Sequence, residues 1–461
     1  MASPTKIKLS LDDTGVFKFK PQDKETASKT SELLQKNHDN HHIFFNQSGF
    51  HNHIAHHLLT LYGLGAPIDV IEKQYKDNES YQRPAVAVHQ KDVEDMLQHH
   101  NLQRYLGQEE RYHDFLIFYQ TEMERKGMDR VLEEYLFSGD EKADDLLARM
   151  FAGFLHPIIH LGFGLEFNQP AIVAEALAQA SVHSNDGIKS FLLSAEKAAK
   201  SKARSKKTLP KLLDEMREDE TIRNASRWED GNKLRDGLLA RAFDETVRHT
   251  SQWVVTPETL TSKTAEMINT AKRRGIQTHS ADPPPPSSVY FTATAQHPPK
   301  QVKFDFFYIH CVNSSIFWST FRELPFLSSA QKARLLEWKG RMDLALYASR
   351  GCPALLLEEV TGYVPKLLEA GDAELGGLVR RCFELDDDSH AVKLLRAVAH
   401  AEEVSGTYDD ETWCKIRTFM WLKIGNMVLD SVEDSGETWV RSCGFDEAWQ
   451  NFEDRPRQTH I

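Results

Sequence analysis

Apolar residues recur at three- and four-residue steps along most of this chain, and few stretches alternate with the period of a strand. A chain patterned this way buries its apolar faces by packing helices on one another. The expected class is therefore all-α, a compact multi-helix single-domain fold with a few short strands. At 461 residues, 40% of them hydrophobic, it is long enough for a sizeable core. The periodicity predicts helices from Glu32 to about Gly65, Asp69 to Asp77, Glu109 to Arg125, Asp129 to Leu136, Lys142 to Phe154 and Pro170 to Ala180. Gly63-Leu64-Gly65-Ala66-Pro67 is the stop signal of the first.

A charged helical stretch follows from 196 to 250. The pattern resumes near Phe304, then over Ser328 to Ser349, Ala354 to Leu368, Glu374 to Glu384, His390 to Glu403 and Asp410 to Val432. Residues 1–30 read as a polar N-terminal arm in which Lys6 to Leu11 alternates like a short strand, and residues 31–461 as the helical domain. Pro283 to Pro286 remove donors and hold an extended conformation, so about 279–300 is expected to be an exposed loop.

Composition excludes several functions. A formal charge of −12 argues against a nucleic-acid partner, and acidic neighbours offset the basic run Lys200 to Lys207. Five irregularly spaced cysteines, Cys311, Cys352, Cys382, Cys414 and Cys443, suggest neither a disulfide framework nor a thiolate zinc site. With no leader-like start and no apolar run of about 18 residues, a soluble cytoplasmic protein without a membrane partner is expected.

The 21 histidines are the anomaly. His53, His56 and His57 share one helical turn beside Ile54, Leu58 and Leu61. His156 and His160 stand four apart in an apolar run, with Pro157 placing His156 at or just before a helix start. His310 lies in an aromatic stretch with Asn313 three residues on. His390 and Lys393 follow Asp386-Asp387-Asp388-Ser389, which reads as a capped helix start. Each imidazole has two readings, a hydrogen-bonded core residue or a metal ligand, and a buried one needs a partner in either case. Lys393 is either paired with a carboxylate or, carboxylated, an anionic oxygen ligand. Glu166 is a candidate acceptor for an imidazole N–H.

Such a donor set suits iron, zinc or copper rather than magnesium or calcium. The chain has no His-Glu-x-x-His, no Gly-x-Gly-x-x-Gly after a strand and no Gly-x-Ser-x-Gly.

At these same segments the chain resembles the questin oxidase-like family of fungal polyketide pathways. The matching stretches are His51-Asn52-His53-Ile54-Ala55-His56-His57-Leu58-Leu59 with Leu64-Gly65-Ala66, and Leu155-His156-Pro157-Ile158-Ile159-His160-Leu161-Gly162-Phe163-Gly164-Leu165-Glu166. Further on stand Ile309-His310-Cys311-Val312-Asn313-Ser314-Ser315, Glu337-Trp338-Lys339-Gly340-Arg341-Met342-Asp343-Leu344, Asp387-Asp388-Ser389-His390-Ala391-Val392-Lys393 and Trp439-Val440-Arg441-Ser442-Cys443-Gly444-Phe445.

The resemblance implies an oxygenase that opens the central ring of an anthraquinone-type aromatic polyketide to a benzophenone-type product. It implies either a non-heme iron dioxygenase using Fe(II) and O2, or an NADPH-dependent Baeyer–Villiger-type monooxygenase without metal. Carried onto this chain, the ligands are His53, His156, His160 and His310 with Lys393 as the carboxylated lysine, and His57 and His390 are reserves. Where the family often has threonine this chain has Asn313, whose amide donates differently near the reacting groups. Phe154, Phe163, Phe307, Tyr308, Phe317 and Trp318 are candidate walls of an aromatic pocket, or plain core. The rival classes are a non-catalytic polyketide-binding helical protein and a zinc hydrolase. The oligomeric state is not legible.

Overall fold

The computed structural model describes residues 1–99, 101–200, 207–268, 288–366, 371, 373–405, 415–433 and 436–455. Among them, regular structure is helical and extended pairing is limited to isolated bridges such as Phe44 with His51, so the all-α class holds. The chain forms two compact units. One comprises Met1–Lys189, Phe317–Gln331 and Asp386–Arg396, and the other Ser190–Ile316, Lys332–Leu385 and Ala397–Ile461. Each draws on three separate stretches, so no composition shift along the sequence marks a boundary between them.

In the first unit the Ala152–Glu166 and Pro170–Val182 helices pack on each other, and the second also packs on Tyr112–Lys126. Pro170 starts its helix at a position that needs no N–H, and every residue from Ala171 to Val182 is buried. Small side chains let the backbones approach. At Gly164 an added Cβ would meet Val173 Cγ2 at 2.8 Å.

The helix expected from Glu32 to Gly65 is instead two, Lys24–Asn40 and Ile54–Leu64. Between them the chain turns, because the Asn46 side chain accepts from Ser48 N and Phe50 N and Gly49 has φ +75°. Gly65 then ends Ile54–Leu64 in the left-handed region, as the stop signal predicts.

The N-terminal arm is shorter and more integrated than expected. Asp23 caps the first helix by accepting from Thr26 N. Ile7 and Leu9 are buried in the predicted alternation, yet no strand forms. The N–H groups of Ile7, Lys8 and Leu9 donate to the side chains of Gln35, Gln169 and Ser31 at 2.8, 2.9 and 2.9 Å. Glu166 does not accept from an imidazole. Its carboxylate takes both Arg396 Nη atoms, at 2.5 and 3.1 Å, and Val16 N at 2.7 Å, while Arg396 Nη2 also donates to Phe17 O.

In the second unit Ser288–Thr294 is a helix whose seven residues are all buried, so the expected exposed loop does not reach 300. Val289, Tyr290, Phe291 and Ala293 supply an apolar face straight after the prolines, and 269–287 lie outside the described residues. Of the helix expected over Ala354 to Leu368, Leu357–Thr361 forms among the described residues and ends at Gly362, with Pro365 beyond it, and 367–368 lie outside the described residues. Of the one expected over Asp410 to Val432, Thr418–Val432 is seen, and 410–414 lie outside the described residues. Cys311, Cys352, Cys382 and Cys443 are buried and not joined in disulfides, and Cys414 is outside the described residues. Among the described residues no single helix is long and apolar enough to cross a membrane.

The Glu166–Arg396 pair joins the arm, a core helix and the 386–396 stretch, with both side chains almost fully buried. Glu166→Ala leaves an uncompensated buried guanidinium and is expected to lower unfolding free energy by about 3–5 kcal/mol in urea titration.

Candidate metal centre

Three local features aim imidazoles inward in the first unit. His53 occupies the N-cap of Ile54–Leu64 with φ −100° and ψ 2°, and His56 follows on the first turn. His57 faces elsewhere. Its Nδ1 accepts from Asn78 Nδ2 at 3.4 Å, its Nε2 has no hydrogen-bond partner among the described residues, and burial pushes it down to about 3.

Before His156 the chain makes a left-handed turn, with φ of 51°, 55° and 69° at Gly153, Phe154 and Leu155. Holding Phe154 and Leu155 there costs roughly 1–2 kcal/mol each. The turn brings Gly153 O to 2.6 Å from His156 Nδ1, and Pro157 follows at the start of the right-handed helix, as the sequence predicts. An added Cβ on Gly153 would stand 2.6 Å from His183 Cε1 and 3.0 Å from His51 Cε1.

His390 starts the His390–Ser405 helix. The cap is Asp387, not Ser389. Asp387 Oδ2 accepts from Ala391 N and Val392 N at 3.0 and 3.2 Å, while Ser389 takes φ +90°. His390 Nδ1 donates to Asp388 Oδ1 at 2.5 Å.

The ligand atoms of His53, His156 and His390 all lie within 4.8 Å of one another, and all three rings are buried. His53 Nε2 is 2.9 Å from His156 Nε2. Imidazole nitrogens held by one transition-metal ion at about 2.0–2.1 Å stand about 3 Å apart on adjacent positions, so this pair fits. Beside them His56 Nε2 is 3.0 Å from His160 Nδ1, and the His53 and His56 rings are 5.6 Å apart.

Burial holds the His53 and His56 imidazoles well below their ordinary range, with Lys393 adding to it. They are neutral bases at physiological pH, the form that binds metal.

Lys393 is 3% exposed and forms no ion pair among the described residues. Asp386 pairs with Lys73, and Asp387 caps the helix. Its Nζ contact is His56 Nδ1 at 3.4 Å. Burial pushes the ammonium down to about 8, against the pull of Asp388 and Asp387.

Sequence pattern does not point to Glu175, His38 or His183. Glu175, inside Pro170–Val182, takes His160 Nε2 on Oε2 at 2.7 Å and His38 Nδ1 on Oε1 at 2.7 Å. Burial raises its pKa, but these two imidazoles outweigh it and hold the carboxyl down at about 2. His51 stacks on His156 at 3.7 Å and meets His183 Nε2 at 2.8 Å. A lone acid in an alanine-rich helix was the one available signal for Glu175.

His310 and Asn313 belong to the second unit, on the Tyr308–Ser315 helix. His310 Nδ1 donates to Phe306 O at 2.7 Å. Neither amide atom of Asn313 has a hydrogen-bond partner among the described residues, although the residue is buried. Of the candidate aromatic walls, Phe163 stacks on His56 at 5.1 Å and Phe317 meets Phe163 edge-on at 4.8 Å. Tyr308 is core, its hydroxyl donating to Tyr347 O.

Compared with known proteins, residues 50–398 match the family described as Questin oxidase-like. The chain is 34% identical to the questin oxidase of Aspergillus terreus over 97% of its length and 98% of that protein. It is 35% identical to the Baeyer-Villiger monooxygenase dmxR6 of a Cryptosporiopsis species, over 97% and 98%. It is also 35% identical to the oxidoreductase AflY of Aspergillus parasiticus, over 98% and 94%.

Gly153→Ala forces the His183 and His51 rings aside, whereas Gly139 has a similar positive φ with nothing near its Cβ position. Both variants carry a left-handed alanine at roughly 1 kcal/mol. Only Gly153→Ala should lose about a further 1–3 kcal/mol in denaturation.

Proposed function

The chain belongs to the questin oxidase-like family and is an oxidoreductase, and from that premise we propose that it opens the central ring of an anthraquinone-type aromatic polyketide at a non-heme iron. One observation carries the metal reading. His156, His160, His390 and His310 each donate one ring N–H to a fixed acceptor, respectively Gly153 O, Glu175, Asp388 and Phe306 O. Metal-binding histidines are held this way, because the tie fixes the tautomer and turns the other nitrogen's lone pair outward.

His53, His156 and His390 would hold the ion, with His160 beside them and Lys393, carboxylated, adding one anionic oxygen. His310 comes into this set through the family resemblance, and His57, turned toward Asn78, is left out of it. When bound, Fe(II) supplies the one-electron chemistry that lets O2 react with a closed-shell aromatic molecule.

The chain's own residues prepare that chemistry. Burial keeps the His53 and His56 imidazoles neutral. Phe163 and Phe317 place apolar rings against His56. Lys393, buried and without an ion pair among the described residues, has a lowered pKa that favours the free amine carbamylation requires. The rival is an NADPH-dependent monooxygenation on the same substrate class, favoured by the printed names of relatives such as dmxR6.

Metal analysis of purified protein, followed by anaerobic reconstitution and O2 turnover on the reduced hydroanthraquinone, whose two extra electrons balance ring opening by one O2, separates the two. About one iron per chain and O2 uptake without NADPH are expected. Metal-free protein turning over at full rate with NADPH would sink the iron reading. Lys393→Ala should abolish turnover and release metal, and full activity there would exclude the carboxylated lysine.

A further inference from the structure

Four buried groups in the first unit form a line of hydrogen bonds with one direction. Glu175, an ionised carboxylate, offers only acceptors, so His160 must present Nε2–H to Oε2 at 2.7 Å. The His160 lone pair then sits on Nδ1, and His56 must donate Nε2–H to it at 3.0 Å. That leaves the His56 lone pair on Nδ1, facing Lys393 Nζ at 3.4 Å as donor. Every proton points toward Glu175.

His156 and His390 are oriented the other way round. Both are tied at Nδ1, to Gly153 O and to Asp388, so their lone pairs are on Nε2. His160 alone of these three is tied at Nε2, and the acceptor that does it lies in the next helix.

The second oxygen of Glu175 is held as firmly. It accepts His38 Nδ1–H at 2.7 Å, and His38 Nε2 in turn accepts from Gln120 Nε2 at 2.9 Å. The carboxylate is 3% exposed and cannot turn away to water.

We propose that Glu175 is the positioning residue that sets the proton direction of His160, His56 and Lys393 as one unit, so that His160 and His56 keep their lone pairs on Nδ1 and Lys393 is held as the donor at the end of the line, while His156 and His390 present Nε2 to the metal. The inference rests on the metal reading above. It also constrains Lys393. An ammonium has three N–H donors and a carbamate one, and one suffices for His56 Nδ1, leaving the carbamate oxygens for other partners.

The two changes at Glu175 separate position from packing. Glu175→Leu removes the acceptor and keeps apolar volume in a buried helix. Glu175→Gln preserves it, because the amide oxygen can face His160 while its NH2 meets His38, whose tautomer reverses as the Gln120 amide turns over.

The test uses full-length protein and Co(II) as the probe, by equilibrium dialysis and visible absorption, with circular dichroism reporting the fold. Glu175→Leu is expected to bind Co(II) about 10–100-fold more weakly with an altered absorption band, and Glu175→Gln to stay close to wild type. A wild-type chain that binds no stoichiometric Co(II) overturns the metal reading and this inference with it. Stoichiometric binding in wild type with unchanged affinity and spectrum in folded Glu175→Leu overturns the inference alone.

Should Glu175→Leu fail to fold, long-range ¹H–¹⁵N NMR of the wild-type Zn(II) protein decides without a variant. His160 must carry its proton on Nε2 while His156 and His390 carry theirs on Nδ1. A proton on His160 Nδ1 overturns the proposal.

Discussion

The cost of burying a polar group without a partner organises the first unit. An imidazole in a helical core cannot stay charged unless a counter-charge is built in, and it cannot stay unpaired without losing stability. Here burial keeps His53 and His56 neutral, and each meets a second imidazole, His156 at 2.9 Å and His160 at 3.0 Å. Glu175 is the built-in anion for the pair it grips, and the helices around it are placed by the need to bring those partners within hydrogen-bond reach.

That requirement explains the irregular backbone. A left-handed turn at 153–155 is unfavourable for Phe154 and Leu155, yet it delivers a carbonyl to His156 and leaves room over Gly153 for His183 and His51. The break at Asn46 to Gly49 has the same effect upstream. By ending one helix at Asn40 and restarting it after His53, it lets His53 leave the helical path while His56 stays on it. Asp387 and Asp388 divide their labour likewise, one capping the helix and the other orienting His390.

Chemistry and electrostatics then coincide. A nitrogen-rich, desolvated donor set is one that a borderline metal accepts, and beside it Lys393 is buried and without an ion pair among the described residues. Family membership, covering residues 50–398 and almost the full length of relatives with oxidative names, points to an oxidative reaction.

Local pattern determined the helical class, most helices, the stop at Gly65 and the placing of His156 before Pro157, because periodicity and proline geometry act within a few residues. The same local signals also picked out His53, His57, His156, His160, His310, His390 and Lys393, of which His57 turns toward Asn78 and His310 lies in the second unit. The turn at Asn46 escaped, since a few residues of turn chemistry are outweighed in a long helical pattern. Partners separated by a hundred residues or more had no local signal. Glu175 with His38, His51 with His183, and the diversion of Glu166 to Arg396 are decided by which helices pack together. An acid or an imidazole acquires its role from the atom that faces it across a helix interface, and that atom is chosen by tertiary packing.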